Sequence, residues 1–408
     1  MNHYPEENGG ISKRLPRGFQ PLPGYSGLYL STAFRSLGMD LISLFIPLYI
    51  LNLTGNVFSI FLFYSLYHFI CVVTNYPTAV LTKRFGIDLV GFLGAMTRAV
   101  FIFFLIKAES QISFLWLAAI FWGTSVSLIW LPFHYSFTIA EQEDKKYGKE
   151  VSQYQIVSRI TGLIGPVTGG LVISSLGFGP LFLFAIILTI SSGIPLFFDT
   201  IKRKGMRLSL AKITQHMTRR GKTKFWLSFV GGQLEGAVLG LVWPLFIYLV
   251  VKNYGTVGLI KSGASIVSVI LVWFLGRWID KKGKAILRLG TMFNSFNVLL
   301  RPFLFSPFAL FLVDSAYGIT SDLVITPFDS AFYEAAVKMR KLEFIVEREF
   351  VIHSSATLIC LFLGFLFTLK VDWFWIFALA VVGILMQNLI LNAEEPGYLN
   401  LLKRLLRR

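Results

Sequence analysis

Stretches of about 20 mostly apolar residues recur along this chain, each long enough for a helix to cross the hydrocarbon of a bilayer. Short polar punctuation separates them, and twelve can be delimited: 27–51, 58–81, 89–106, 112–137, 151–176, 180–198, 225–251, 257–278, 287–305, 307–332, 350–369 and 371–391. A membrane barrel would show alternating segments of about 10 residues instead. Composition agrees. Only 15% of the 408 residues are charged, against about 25% in an average soluble protein, and 40 Phe with 9 Trp cannot be hidden inside one aqueous globule. The expected fold is an all-α membrane protein of twelve transmembrane helices in two pseudo-symmetric six-helix bundles. Its parts are a tail (1–26), a first bundle (27–198), a basic central loop (199–224), a second bundle (225–391) and a basic tail (392–408).

The net charge of +16 would suggest a nucleic-acid partner in a soluble chain. Here the bases fall in alternate inter-span segments. Thirty of the 38 Lys and Arg lie on one side, and five (Lys107, Lys252, Lys261, Arg301, Lys370) on the other. Arg35, Arg98 and Arg159 lie within spans. The bias of Lys and Arg toward cytoplasmic loops places both termini in the cytoplasm and the chain in the plasma membrane. Residues 1–23 are polar and carry no apolar signal-peptide core. Residues 399–408 mix Leu with Lys and Arg, which suits either a short surface helix on an anionic leaflet or a solvated basic end. Cys71 and Cys360 both sit in apolar runs, and neither a disulfide framework nor a zinc spacing is available.

Two landmarks recur at one offset. Gly86, closing the basic turn after the second span, and Gly283, in the turn after the eighth, stand 197 residues apart, as do Glu141 and Lys338 at the openings of two charged loops. With the central loop, this favours a six-plus-six duplication.

One local sequence runs Gly276, Arg277, Trp278, Ile279, Asp280, Lys281, Lys282, Gly283, Lys284. It resembles the inter-helix loop motif of the major facilitator superfamily, a transporter group built from repeated halves. In that motif the aspartate pairs with bases or caps a helix in one conformation and releases them in the other, and Gly283 permits the tight turn. The bland alternative is an ordinary turn with topogenic bases. The first-half copy keeps Arg84 and Gly86 but has Ala79 for the glycine and Lys83 for the aspartate. A second stretch, Gly165, Pro166, Val167, Thr168, Gly169, Gly170, is similar to the Gly-Pro-x-x-Gly-Gly of the family's antiporters, with the upstream glycine displaced to Gly162 and Ala119 where those antiporters carry a base. The resemblance implies alternating access around a cavity lined by the first, fourth, seventh and tenth spans.

A charge inside the hydrocarbon costs about 2.5–3.5 kcal/mol on insertion scales, so each embedded one calls for a reason. The first half holds Arg35, Asp40, Arg98 and Arg159, the second Glu235, Asp314 and Asp322, giving +2 against −3. Three readings stay open: structural pairing, a coupling proton on Asp40, Glu235, Asp314 or Asp322, and an anionic substrate group held by Arg35, Arg98 or Arg159 through bidentate hydrogen bonds. Asp314, Asp322 and Asp329 fall within one arc of about 80° on a helix. Gly232, Gly236 and Gly240 flank Gln233 and Glu235 at four-residue spacing, which serves close helix packing or a bend. His68, His134 and His353 are candidate proton relays or simply satisfied neighbours.

Enzyme signatures are missing: no His-Glu-x-x-His, no Gly-x-Ser-x-Gly, no paired Asp-rich metal motif. Gly221, Lys222, Thr223 ends like a phosphate-binding loop, but His216 stands at its first glycine and no strand precedes it. The reading is therefore a secondary or facilitative transporter of a small molecule, with protons as a candidate coupling ion. The rivals are a multi-pass sensor or scaffold and a membrane-embedded enzyme. No cofactor, metal or nucleic-acid partner is expected; the lipid bilayer is the surrounding partner, and a monomer is the expected state.

Overall fold

A computed structural model describes residues 26–144, 147–198, 209, 213, 223–282, 284–338 and 341–392, without the side chains at 26, 28, 136–159, 198, 271–285, 330–331, 333–341 and 392. Outside the described residues lie both tails, most of the central loop, Gly283 of the gating motif and the side chains of Arg159, Asp280, Lys281 and Lys284, while the backbone at Gly276, Asp280, Lys281 and Lys284 is helical.

Every described element is helical. In lipid no water is available to the backbone, so each segment must close its own hydrogen bonds. The α-helices are α1 (Ser26–Asp40), α2 (Ile46–Thr54), α3 (Val57–Phe85), α4 (Ile87–Ala108), α5 (Ser113–Asp144), α6 (Tyr147–Leu176), α7 (Phe178–Gly193), α8 (Thr223–Ala237), α9 (Trp243–Val251), α10 (Tyr254–Lys282), α11 (Lys284–Leu300), α12 (Pro307–Lys338), α13 (Lys341–Thr368) and α14 (Trp373–Gln387). Among the described residues, eight segments are long and apolar enough to cross a membrane: Val57–Phe85, Ile87–Ala108, Ser113–Tyr135, Phe178–Phe197, Thr223–Val251, Pro307–Asp329, Leu342–Thr368 and Trp373–Leu391. Ile160–Leu176 and Tyr254–Ile270 are shorter apolar helices.

Local chemistry sets the ends. Asn56 Oδ1 accepts from the Phe58 N–H at 2.9 Å to start α3, and Asp372 Oδ1 accepts from Phe374 N–H at 2.8 Å to start α14. Gly86 alone joins α3 to α4, at φ 92°, a conformation that needs glycine.

The element bounds repeat. α1, α2 and α3 recur as α8, α9 and α10 with every boundary shifted by 197 residues. Two breaks obey the same shift. Residues 41–45 form a turn between α1 and α2, and Val238–Val242 form a π-helix between α8 and α9. The first and seventh apolar runs, expected as continuous helices, are thus interrupted at the same place. Proline is the cause: Pro47 and Pro244 have no N–H to donate and crowd the carbonyl four residues back, and the chain relieves this by a turn in one copy and a π register in the other. Pro47-Leu48-Tyr49-Ile50 and Pro244-Leu245-Phe246-Ile247 are the same signature at that offset.

Packing repeats as well. In the first half α4 packs on α5 and α7, α3 on α5, and α1 on α6 and α7; in the second α11 packs on α12 and α14, α10 on α12, and α8 on α13 and α14. Across the halves α3 meets α13 and α10 meets α6. These crossings are close where glycine removes the side chain. A Cβ on Gly165 would lie 2.5 Å from Asp40 Cβ, one on Gly169 would collide with the Leu41 carbonyl, and one on Gly170 would lie 2.5 Å from the Tyr254 carbonyl. The stripe Gly232, Gly236, Gly240 does not pack in this way: Gly236 and Gly240 face open space, and the nearest atom to a Cβ on Gly232 is 3.9 Å away. The close approach of α8 to α14 falls one residue off the stripe, Gly231 against Gly383.

Two substitutions separate these cases. Gly169→Leu should destabilise by about 1–3 kcal/mol through overpacking against backbone that cannot yield, while Gly236→Ala should leave the thermal unfolding midpoint of the detergent-solubilised protein within experimental scatter.

Candidate functional site

The second half buries a connected polar network. Glu235 on α8 accepts from three neutral donors: Asn294 Nδ2 of α11 at 2.7 Å, Gln387 Nε2 of α14 at 2.6 Å and Tyr317 OH of α12 at 3.3 Å. Thr320 donates to Asn294 Oδ1 at 3.0 Å, which fixes the orientation of that amide. Beside it, Asp314 on α12 is held by charge. Lys261 Nζ of α10 lies 2.8 Å from Oδ2, Arg301 NH2 lies 3.4 Å from Oδ1, and Trp243 Nε1 donates to Oδ1 at 2.9 Å. The Arg301 guanidinium sits 4.1 Å above the Trp243 ring and 4.8 Å from that of Tyr317, and its NH2 reaches Asn297 Oδ1 at 3.3 Å. Arg301 is wholly buried, and Asp314, Glu235, Asn294 and Gln387 are buried too.

Lys261 and Arg301 had been assigned to outer loops by sequence; the structure places both on this network, so the second half's embedded charge is less negative than −3. Arg301 follows the apolar run of α11 directly and precedes Pro302, where a loop boundary is the natural reading.

The first half is different. Arg35 on α1 is buried against aromatic faces, 5.0 Å from the Trp130 ring and 4.9 Å from that of Phe133 on α5. Arg98 on α4 is 3% exposed. Among the described residues it forms no ion pair, and its Nε is a buried donor without an acceptor. Arg35, Tyr67 and Cys71 lie within its electrostatic reach. Asp40 is held by the Thr161 side chain on α6. Gln233 and Asp322 are half-buried. Arg84 is exposed over the Phe85 ring, next to the Gly86 turn.

A third cluster spans the crossing of α3 and α13. His68 Nδ1 and His353 Nδ1 are 2.9 Å apart. His353 Nε2 lies 3.4 Å from Glu349 Oε2, Glu349 Oε1 lies 2.6 Å from Arg348 NH1, and Arg348 NH1 lies 3.3 Å from His134 Nε2 on α5. Ser65 Oγ donates to the Thr357 carbonyl at 3.1 Å on one side of the pair, and Asn75 Nδ2 donates to the Val346 carbonyl at 2.9 Å on the other. The three histidines, far apart in sequence, thus belong to one chain of polar contacts. Sequence had begun this span at Phe350; α13 starts at Lys341 and buries Glu343, Glu347 and Glu349. The spacing of Glu343, Glu347, Glu349 and His353 along one helix was the available signal, masked by its resemblance to a charged loop.

The structure therefore brings Glu235 and Asp314 into adjacent parts of one network, leaves Arg35 and Arg98 in a separate basic region, and links His68, His353 and His134 through Glu349 and Arg348. A family model described as Major Facilitator Superfamily matches residues 28–338 of the chain. An uncharacterized protein of Bacillus subtilis (strain 168), YqgE, is 26% identical over 374 residues, covering 86% of this chain and 84% of the relative.

Asp314 anchors two cations, so Asp314→Asn should cost about 3–5 kcal/mol by leaving buried charge uncompensated. Asp314→Asn combined with Arg301→Met should be less destabilised than the sum of the single changes, a coupling that a double-mutant cycle of thermal unfolding measures.

Proposed function

The chain belongs to the Major Facilitator Superfamily, and on that premise we propose that it is a secondary active or facilitative transporter of a small molecule. The multi-pass membrane architecture and the family support transport in general; the finer picture is our reading. Two six-helix bundles of a twelve-helix chain rock about a site near the midplane and expose it to each side in turn. The constant offset of 197 residues between repeated elements supports two equivalent halves. Both termini face the cytoplasm of a plasma-membrane monomer, in keeping with the uneven distribution of Lys and Arg. The turns around Arg84 and Gly86 and around Gly276, Asp280, Lys281, Gly283 and Lys284 form the cytoplasmic gate.

The observation that carries the substrate assignment is Arg98. Burying a cation with no partner is costly, and among the described residues no carboxylate meets Arg98 and its Nε has no acceptor. A guanidinium kept in this way meets an anionic group only when a substrate is present, through paired N–H donors. Arg35 adds positive potential nearby. Glu235, held by neutral amides and a phenol, serves as the polar contact on the opposite half, with Asp40, Asp322, Gln233 and Arg159 as further candidates. Asp314 acts by positioning, since losing its charge would strand Lys261 and Arg301.

Purified protein in proteoliposomes, offered a panel of mono- and dicarboxylates and phosphate esters beside neutral and cationic solutes, should carry an anionic member. Arg98→Leu should lower that flux at least tenfold yet raise the unfolding midpoint of the free protein, because it removes an uncompensated buried charge. Flux of neutral or cationic solutes only, unaffected by Arg98→Leu, would keep the transporter and remove the role of Arg98. No flux of any solute would remove the transporter.

A further inference from the structure

Resting on the transport reading, we propose that the coupling ion is a proton and that it is carried on the hydrogen-bonded pair of His68 and His353, at the crossing of α3 and α13. Two imidazole Nδ1 atoms 2.9 Å apart admit one arrangement. Two lone pairs at that distance repel, and two N–H groups collide, so the gap holds a single proton shared by one donor and one acceptor. In the neutral pair that hydrogen is one imidazole's own N–H, so a proton taken up from water adds at His353 Nε2, which faces Glu349, while the gap still holds one hydrogen.

The Glu349 carboxylate faces His353 Nε2 at 3.4 Å, so the ring donates from both nitrogens when it is the imidazolium. Charged and titratable groups face this region from the packed elements, including Arg98 of α4, which reaches Tyr67 and Cys71, and Arg35 of α1, which reaches His134. α3 adds Tyr67 and Cys71, α5 adds His134, α12 adds Asp329, and α13 adds Arg348 beside Glu349, while α8 presents the Phe229 ring. Arg348, Arg98 and Arg35 oppose a charged pair, and Glu349, 2.6 Å from Arg348, offsets the cation next to it.

Placement links this proton to motion. α3 and α13 come from opposite halves, so any rocking that parts them breaks the Nδ1–Nδ1 contact. With the helices together, a proton from water adds to the neutral pair at His353 Nε2 and is held against Glu349, the Nδ1–Nδ1 hydrogen bond to His68 remaining. With them parted, it rests on one ring, which faces the opening side and returns it to water there; no other species is consumed. The acidic residues suit this role less. Asp314 is bound to two cations, and Glu235 is already engaged by Asn294, Gln387 and Tyr317 within the second half.

The full-length chain, labelled with 15N-histidine and held in lipid nanodiscs, is titrated by NMR from pH 5 to 9, with His68→Gln, His353→Gln and Glu349→Gln to assign the signals. The expected result is a coupled transition of His68 and His353. His68→Gln should move the His353 midpoint by at least one pH unit, and Glu349→Gln should move the pair's midpoint toward acid. Midpoints that ignore the partner's replacement, or rings that never change charge over this range, overturn the proposal. In proteoliposomes, with a solute identified as above, His353→Gln should keep solute exchange and lose accumulation driven by a pH gradient; unchanged accumulation also overturns it. These outcomes leave transport standing. Absence of all flux would remove transport and the coupling role together, whatever the titration shows.

Discussion

No water reaches a backbone amide in the middle of a bilayer, and the rest of this structure follows from that. Each apolar run must satisfy its own N–H and C=O groups, so the chain is helical wherever it is described. Because lipid gives no hydrophobic drive between helices, association depends on close backbone approach and on polar contacts. The glycines of α6 provide the first. The network around Glu235 and Asp314 and the histidine chain at α3 and α13 provide the second.

Buried charge is treated in three ways within one chain. Asp314, Lys261 and Arg301 neutralise one another and are further fixed by Trp243 and Asn297. Arg35 lies on aromatic faces, where a ring quadrupole replaces part of the lost hydration. Among the described residues Arg98 has neither an ion pair nor an aromatic face recorded against it, and its Nε lacks an acceptor.

Much of the fold was legible in the sequence because hydrophobic length is a strong signal: every apolar run delimited from composition contains helix. The 197-residue repeat was visible in two loops, yet its clearest mark, the paired prolines Pro47 and Pro244, was read through as span interior. The partners of the buried acids were harder. Arg301 and Lys261 sit near run boundaries, where a base resembles a loop residue, and Glu343, Glu347 and Glu349 form a dense acidic stretch that resembles solvent-exposed chain. Pairings such as His68 with His353, separated by 285 residues, leave no trace in any local pattern.

The two proline-induced breaks have a mechanical consequence. Each follows directly on Asp40 of α1 or Ala237 of α8 and runs up to the residues just before its proline, at equivalent places in the two halves. Above them, α2 and α9 touch across the midline; below them, α1 and α8 pack against the interiors of their own halves. The chain therefore carries two joints at equivalent positions, one in each half, where the regular main-chain ladder is already interrupted and a bend disturbs the fewest hydrogen bonds.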